Sequence, residues 1–354
     1  MSLPIAIGIV GLGRAGYGMH LPELKGKEKL FRVAGVCDLI PERMRKVRGE
    51  YGCKAYSSIE SLVKDPEIEL VDIATRSCDH FHHAKLVLEA GKTVFLEKPV
   101  CMTEKQAEEL GKQACWDGKI HIFARHNRRF EYSLQKIREV MEEGLLGEVY
   151  EIHISRASFQ RRNDWQTIGE LGGGQLLNWG PHIVDHSLRL LGTKEYRVES
   201  ELKQTVAAGN CEDHLTLRFI GENGRTVIMR VSGGMALPVP EYEVYGTRGA
   251  MRLDSKTVQM RYIDPEQKLE PAEADPGTPG QTFGKAGTFR SVEEIRWIEK
   301  TFPKEPEDLS VIWRHLYRAI REGEPYPIPW EEALEVMQVI SQVKESPVYK
   351  TGGV

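Results

Sequence analysis

The sequence lacks the cysteine pattern of a disulfide-stabilised protein. Its six cysteines stand apart along the chain, and no Cys-x-x-Cys pair occurs among them. No disulfide framework is therefore implied. Scattered cysteines of this kind are typical of proteins of the reducing cytoplasm, where we expect this protein to reside.

Long hydrophobic runs and an excess of basic charge are also missing. No apolar run is long enough to span a bilayer, which argues against a membrane protein. The formal net charge is −4 and the pI is about 6.3, so no basic field favours nucleic acid. The apolar start lacks a basic leader and runs into a glycine loop, so we interpret it as a buried strand rather than a signal peptide.

With 354 residues, the chain is long enough for two domains. Strand and helix patterns alternate strictly over the first part, with strands predicted at 4–10, 32–38, 69–75, 92–97 and 120–125. Such alternation predicts a doubly wound parallel sheet, because each parallel connection needs a crossover helix. We therefore predict an α/β Rossmann domain over residues 1–125.

The pattern changes after residue 126. Longer strands with alternating polar and apolar residues predict an antiparallel sheet; they lie at 148–158, 196–208, 212–220, 225–233, 241–246 and 250–254. A polar loop over about 264–288 and three helices at about 291–301, 306–322 and 330–344 are predicted to follow. We expect an α+β domain with a large, mostly antiparallel open sheet over residues 126–354.

Gly11, Gly13 and Gly16 form a G-x-G-x-x-G motif that encloses Leu12, Arg14 and Ala15. The motif follows an apolar strand and opens a helix, which is the context of dinucleotide binding. The first glycine permits the tight turn, the second lets the backbone approach a pyrophosphate, and the third lets helix and strand pack closely. A tight turn without a ligand is the alternative.

Asp38 ends the second strand, 22 residues after Gly16. An acid at this position accepts hydrogen bonds from the adenosine ribose diol and repels a 2′-phosphate, so NAD is the expected cofactor. Arg43 lies nearby and keeps NADP possible. A helix cap before Pro41 is the alternative role of Asp38.

Glu97, Lys98 and Pro99 stand at the carboxyl end of the fourth strand, the edge that lines the ligand crevice in open α/β sheets. An ammonium group there can lower the pKa of a substrate hydroxyl and stabilise a developing alkoxide. A surface salt bridge between Glu97 and Lys98 is the alternative.

Taken in order, four segments resemble the glucose–fructose oxidoreductase / inositol dehydrogenase / MocA (Gfo/Idh/MocA) family. They are GIVGLGRAG, VCD, DIATRSCDHFHHAKLVLEAGKTVFLEKPV and GGGQLLNWGPHIVDHSLRLLG. The resemblance implies a Rossmann domain, an open-sheet domain that mediates a homodimer or homotetramer, and NAD(P)-dependent oxidation or reduction of a sugar, cyclitol or sugar derivative.

The resemblance also assigns residues. Lys98 matches the catalytic lysine, and His182 matches the general acid/base. The family's aspartate falls on Asn178, which can orient a hydroxyl but cannot carry charge. The expected cofactor contacts are Gly11, Gly13, Arg14, Ala15, Gly16, Asp38, Thr75, His80, Glu97 and Lys98.

Three interpretations compete for residues 172–186. His182 can move a proton, since imidazole has a suitable pKa; this is our prediction. Alternatively, His182, Asp185 and His186 share one helix face and bind a metal; we predict no metal. In the third interpretation one or both histidines are hydrogen-bonded core residues, which we favour for His186. Either Asp185 or His186 supplies the polarity that Asn178 lacks, or the proton chemistry differs from the family norm.

Several polar or aromatic residues are candidates for the substrate. Trp165 lies in a polar segment before the glycines and can cover a sugar face. Arg128 lies near the domain junction, from which its side chain can reach the crevice. The predicted substrate contacts are Trp165, Asp185 and Arg128, although an exposed polar loop explains Trp165 and its neighbours almost as well. Two other functions stay open: glycoside elimination or hydrolysis through transient oxidation by tightly bound NAD, and a nucleotide-bound sensor without turnover.

Overall fold

The computed structural model describes residues 3–274, 276 and 293–351. The strands of the first part are β1 (Ile5–Val10), β2 (Phe31–Cys37), β3 (Lys54–Tyr56), β4 (Leu70–Ile73), β5 (Thr93–Leu96), β6 (Cys115–Trp116), β7 (Lys119–Ile120) and β8 (Ile122–Ala124). All but β6 and β7, which form a hairpin, build a parallel sheet of order β3-β2-β1-β4-β5-β8. β1 is buried along its whole length because helices cover both faces of such a sheet.

Crossover helices connect these strands: α1 (Leu21–Leu24), α2 (Pro41–Tyr51), α3 (Ile59–Val63), α4 (His80–Glu89) and α5 (Glu104–Gln113). A π-helical turn, Gly16–His20, precedes α1. The strand order reverses between β1 and β4, so the loops after these two strands flank the crevice where open α/β sheets bind ligands. The predicted Rossmann architecture is confirmed.

The second part forms a nine-stranded sheet. Its strands are β9 (Val149–Ala157), β10 (Tyr196–Gln204), β11 (His214–Gly221), β12 (Thr226–Ser232), β13 (Tyr242–Gly246), β14 (Gly249–Leu253), β15 (Thr257–Ile263), β16 (Trp297–Pro303) and β17 (Val348–Lys350). The order is β16-β15-β14-β13-β9-β12-β11-β10-β17, with parallel pairing only between β9 and β12 and between β10 and β17. The expected large, mostly antiparallel sheet is confirmed.

Five α-helices accompany this sheet in the described residues: α6 (Tyr132–Glu142), α7 (Gln175–Asn178), α8 (Gly180–Leu191), α9 (Val311–Glu322) and α10 (Trp330–Lys344). Helix α8 packs on β9, β11 and β12, and α10 packs on both α8 and α5. Trp313 of α9 is fully buried against Phe31 and Phe95 of the first sheet. The C-terminal helices therefore return to the Rossmann sheet and fix the two parts against each other.

The predicted helix at about 291–301 is wrong where the structure describes it. Residues 297–303 form β16, which pairs along its whole length with β15, a strand that was not predicted. Ile298 and Phe302 face the core together, and a spacing of four puts two residues on one side of either a helix or a strand. Most of the predicted 264–288 loop lies outside the described residues; the part from 264 to 274 has no helix or strand. Among the described helices, none has the length and apolarity needed to cross a bilayer.

Candidate active site

The glycine loop after β1 forms a cradle of bare backbone. Gly11 adopts φ +93°, and a Cβ there would lie 2.6 Å from the carbonyl oxygen of Ala74. A Cβ on Gly16 would lie 2.0 Å from the carbonyl oxygen of Gly11, so strand and helix can meet only at a glycine. A Cβ on Gly13 would meet nothing within 4 Å. This open space beside free backbone N–H groups fits a dinucleotide pyrophosphate.

Asp38 closes the cradle from β2. Its carboxylate accepts hydrogen bonds from the backbone N–H of Leu12, over 2.6 Å, and of Ile40, over 2.8 Å. The guanidinium of Arg43 lies 3.5 Å from the same carboxylate. Asp38 thus ties the glycine loop to the residue before α2, a position that fits the predicted ribose acid. The alternative cap role is wrong, because Ile40 is the N-cap of α2 and no side chain caps that helix. Arg14 is exposed and Ala15 half-buried on the same loop.

Lys98 follows β5, where a buried carboxylate fixes its backbone. The Glu97 Oε2 accepts the Lys98 backbone N–H over 3.0 Å, and Oε1 accepts Arg125 over 2.8 Å. Burial opposes ionisation of Glu97, but His20 and Arg125 outweigh it and lower the pKa of this carboxyl. Glu97 is 5% exposed, so its side chain acts as an internal anchor of the Lys98 loop rather than as the predicted cofactor contact.

His20 is a site residue that the sequence did not indicate. Its Nδ1 lies 2.7 Å from the Asp72 carboxylate and its Nε2 lies 3.0 Å from that of Glu97, and the ring is fully buried. Burial and Arg125 lower the pKa of His20, but the two carboxylates prevail and raise it above the ordinary value. An imidazolium that donates to both carboxylates satisfies this geometry. The partners lie 52 and 77 residues away in sequence, so no local motif reveals them.

Arg125 extends this network to the C-terminal helices. It also donates to Glu23, whose carboxylate accepts the Trp313 indole N–H over 2.8 Å. Charged and polar groups thus run unbroken from α9 to the backbone of Lys98.

The ammonium group of Lys98 reaches the second domain. Its Nζ donates a hydrogen bond to the backbone carbonyl oxygen of Asn178, at the end of α7, over 3.1 Å. Burial lowers the pKa of Lys98, Glu97 acts in the opposite direction, and Arg14 and Arg128 lower it further. The E-K-P loop and the GGG-x-x-x-N segment, 80 residues apart, therefore meet at one point.

The side chain of Asn178 is buried between two glutamines. Its Oδ1 accepts Gln166 over 3.3 Å and its Nδ2 donates to Gln175 over 3.5 Å. The predicted substrate-orienting amide thus already has protein partners, and its backbone oxygen holds Lys98.

His182 lies on the first turn of α8, 6% exposed. Its ring packs edge-on against Trp179 and against His126, with centroids 6.1 Å and 6.4 Å apart. Burial, followed by the charges of Lys98 and Arg128, holds the pKa of His182 well below its ordinary value. The imidazole is therefore neutral near pH 7, and its Nδ1 has no hydrogen-bond partner within the described residues. His126, which was not predicted, is fully enclosed beside it.

Asp185 and His186 each have hydrogen-bond partners of their own, and neither bonds to the Nδ1 of His182. Both carboxylate oxygens of Asp185 accept Arg129, which also pairs with Glu332 of α10. His186 lies 2.7 Å from the Tyr242 hydroxyl and 3.0 Å from the Arg128 carbonyl oxygen. Asp185 is 1% exposed and both its oxygens are taken by Arg129, which argues against the predicted substrate contact. The described residues contain no group of three His, Cys, Asp or Glu side chains that could hold a metal.

His80 joins two loops at the crevice. Its ring nitrogens lie 2.7 Å from the Pro99 carbonyl oxygen and 3.2 Å from that of Thr75, and the ring is 1% exposed. Thr75 is half-buried, and its hydroxyl contacts His83 over 3.1 Å. Thr75 therefore stays a candidate cofactor contact after β4, whereas His80 supports the loops on either side.

Arg128 and Trp179 stack on each other next to His182. The guanidinium lies 4.3 Å from the Trp179 ring centroid and pairs with Glu131. They line a cleft of about 360 Å³ that continues along the ends of β9 and β12. Trp165, the predicted sugar cover, is half-buried and lies outside the lining of this cleft.

Together, a glycine cradle at the switch point of a Rossmann sheet and a lysine–histidine pair at its carboxyl edge define an NAD(P)-dependent oxidoreductase. Residues 5–124 match the profile of the "Oxidoreductase family, NAD-binding Rossmann fold", and residues 134–252 match the "GFO/IDH/MocA C-terminal domain". The chain belongs to the Gfo/Idh/MocA family of oxidoreductases.

Relatives match over nearly the whole chain. The uncharacterized oxidoreductase YdgJ of Escherichia coli is 28% identical, over 98% of this chain and 97% of the relative. The scyllo-inositol 2-dehydrogenase (NADP(+)) IolW of Bacillus subtilis is 26% identical, over 97% and 93%. A solved oxidoreductase from Bacillus cereus superposes with a TM-score of 0.80 at 20% identity, over 97% of this chain and 98% of that one, which shows a shared fold.

Proposed function

We propose that the protein is a dehydrogenase that moves a hydride between a nicotinamide cofactor and a hydroxyl-bearing carbon of a sugar, cyclitol or sugar derivative. The observation that carries the proposal is that Lys98, held at the end of α7, lies close enough to His182 for its charge to lower the pKa of the imidazole. The two residues come from separate parts of the chain. IolW, by its name, acts on scyllo-inositol. A second relative, 30% identical over 54% of this chain, is the D-glucoside 3-dehydrogenase of E. coli.

The glycine loop, Asp38 and Thr75 are the residues that would hold the cofactor, which supplies the hydride acceptor or donor when bound. In its ammonium form, which the Glu97 carboxylate favours against burial, Lys98 polarises the substrate hydroxyl. His182 is neutral, so it can accept the hydroxyl proton as the carbon is oxidised. The nearby charges of Lys98 and Arg128 disfavour the resulting imidazolium, which helps His182 release the proton afterwards.

His20, Glu97 and Arg125 take no proton from the substrate in this scheme. They hold the backbone of Lys98, so that its ammonium group points at the end of α7. Preorganised charge of this kind stabilises a developing alkoxide without reorganisation during the reaction.

The same proposal places the domain boundary near residue 125. It also includes assembly as a homodimer or homotetramer through the open face of the nine-stranded sheet. At alternate positions this face carries half-buried side chains, among them His153, Ile228 and Tyr245. No helix of the described chain covers these side chains. A cytoplasmic location stays a prediction.

Thermal-shift titrations with NAD and NADP, followed by NADH or NADPH absorbance against sugars and cyclitols, test the function. We expect one dinucleotide to stabilise the protein and a carbohydrate to give net reduced cofactor. The exchange His182→Gln should abolish turnover, whereas His82→Gln, an exposed histidine on α4, should not. Conversion of a glycoside without net reduced cofactor would instead support the elimination or hydrolysis alternative.

A further inference from the structure

The cleft beside the lysine–histidine pair carries four cationic and three anionic side chains in its lining. We call it the arginine cleft, and it takes its walls from the ends of β9 and β12 and from the segments around Arg128 and Trp179. Its volume of about 360 Å³ lies in the range of small-molecule sites. The ionisable residues in its lining are Arg128, Glu131, Arg156, Arg162, Glu241, Lys304 and Glu307.

At the inner end of the arginine cleft, next to Trp179, positive charge exceeds negative charge. Arg128 and Arg156 both donate to the single carboxylate of Glu131, so two guanidinium groups share one negative charge. The side chains of Arg156 and Glu131 are 10% and 5% exposed. Solvent therefore screens the excess positive charge poorly.

The remaining charges lie in pairs or at the rim. Lys304 pairs with Glu241 over 3.0 Å, and Arg162 pairs with Asp164 over 2.7 Å. Glu307 is exposed, and its carboxylate accepts the backbone N–H of Tyr132. A ligand at the inner end of the cleft would therefore contact the excess positive charge next to Trp179.

Arg128 is built to hold a carboxylate. Its guanidinium lies over the Trp179 ring, 4.3 Å from the centroid, which holds the group at this end of the cleft. One nitrogen, Nη1, donates to Glu131, and no acceptor within the described residues takes the Nη2 or Nε protons. The side chain is 29% exposed, and a planar guanidinium with free donors matches the two oxygens of a carboxylate.

The reacting position adds to this charge. His182 is neutral and Asn178 carries an uncharged amide, so Lys98 and Arg128 supply the charges next to the transferred proton. An anionic substrate would complement both cations at once.

We propose that the substrate is a sugar or cyclitol derivative that carries a carboxylate, bound by Arg128 at the Trp179 end of the arginine cleft while a hydroxyl reaches Lys98 and His182. This inference rests on the proposed function and narrows its substrate class.

Binding, measured apart from turnover, tests the inference. Isothermal titration of the full chain with its preferred dinucleotide would compare D-glucuronate and D-galacturonate with their methyl esters and with D-glucose. At least one acid should bind about tenfold or more tightly than its ester. This preference should shrink as salt is added.

Variants locate the effect. Arg128→Met should remove the preference for the acid, and Arg128→Lys should restore it in part, because lysine keeps the charge but not the fork. Arg138→Met, which removes an equal charge from the exposed face of α6 outside the cleft lining, should leave it intact. Thermal unfolding checks that each variant is folded.

The inference is overturned if no acid binds more tightly than its ester, or if Arg128→Met weakens acid and ester equally. The comparison of ligands on the unaltered chain stands even if Arg128→Met fails to fold. Turnover of neutral sugars with no acid preference would sink the inference and leave the dehydrogenase proposal standing. Preferential acid binding that depends on Arg128, without reduced cofactor from any substrate, would support the inference and sink the dehydrogenase proposal.

Discussion

The Nζ of Lys98 donates a hydrogen bond to the backbone carbonyl oxygen of Asn178 over 3.1 Å. This bond joins the carboxyl edge of the Rossmann sheet to the helix pair α7 and α8 that presents His182. The position of the proposed catalytic pair, Lys98 and His182, therefore depends on contacts between two distant segments of the chain.

The glycine loop gives a matched pair of variants. Gly13→Ala should keep the fold, because its Cβ enters space free of protein atoms, but it should weaken dinucleotide binding about tenfold or more. Gly16→Ala should unfold more easily, because its Cβ would overlap the carbonyl oxygen of Gly11. Thermal unfolding and fluorescence titration with NAD and NADP measure both effects. Unchanged affinity in Gly13→Ala would place the dinucleotide elsewhere.

The exchange Asn178→Asp should shift the pH dependence of activity. A carboxylate at this position adds a negative charge near Lys98 and His182 and so raises the pKa of each. His182 must be neutral to accept a proton, so the acidic limb of kcat/KM for oxidation should move upward by about one pH unit. Gln338→Glu adds the same charge at an exposed position of α10 and should leave the profile unchanged. A profile of Asn178→Asp that overlays the original would contradict the role given to His182.

His20 should make stability depend on pH with a defined sign. Its pKa is raised in the folded state, so its contribution is complete below the ordinary histidine value of about 6.5 and is lost as pH rises through the folded value. Urea unfolding of the original chain should therefore show stability falling with rising pH more steeply than in His20→Gln. His82→Gln is the exposed control. Parallel pH curves for His20→Gln and the original would rule out a buried imidazolium.

Asp185 and Arg129 should behave as a structural pair. Arg129→Met leaves a buried carboxylate without its partner and should cost about 3–5 kcal/mol of unfolding free energy. Asp185→Asn should cost less and leave KM for the substrate unchanged. A double-mutant cycle in chemical denaturation gives the coupling energy. A large rise of KM in Asp185→Asn without loss of stability would instead support the predicted substrate contact of Asp185.

Local patterns predicted much of the fold and part of the site. The glycine motif, Asp38 and the E-K-P segment are short signals whose meaning depends only on the adjacent strand and helix. The parallel and antiparallel sheets follow from patterns that repeat over many residues. His182 was assigned through the resemblance to the family, and Arg128 was predicted from its place near the domain junction. The contact between Arg128 and Trp179 became apparent only in three dimensions.

The remaining features depend on distant contacts. His20 acquires its role from Asp72 and Glu97, and Asp185 acquires its own from Arg129, which no spacing in the sequence encodes. The strand β16 was predicted as a helix because pairing with β15, rather than local preference, decides its conformation.

Lys98→Met tests the central claim most directly. Methionine preserves the length and apolar body of the side chain but removes the charge that polarises the substrate hydroxyl. Measured as reduced cofactor formed per enzyme under saturating carbohydrate, kcat should fall by about 10²–10³-fold, while dinucleotide affinity stays within a few-fold and exposed Lys64→Met behaves as the original. A folded Lys98→Met enzyme that turns over at the original rate would contradict the account.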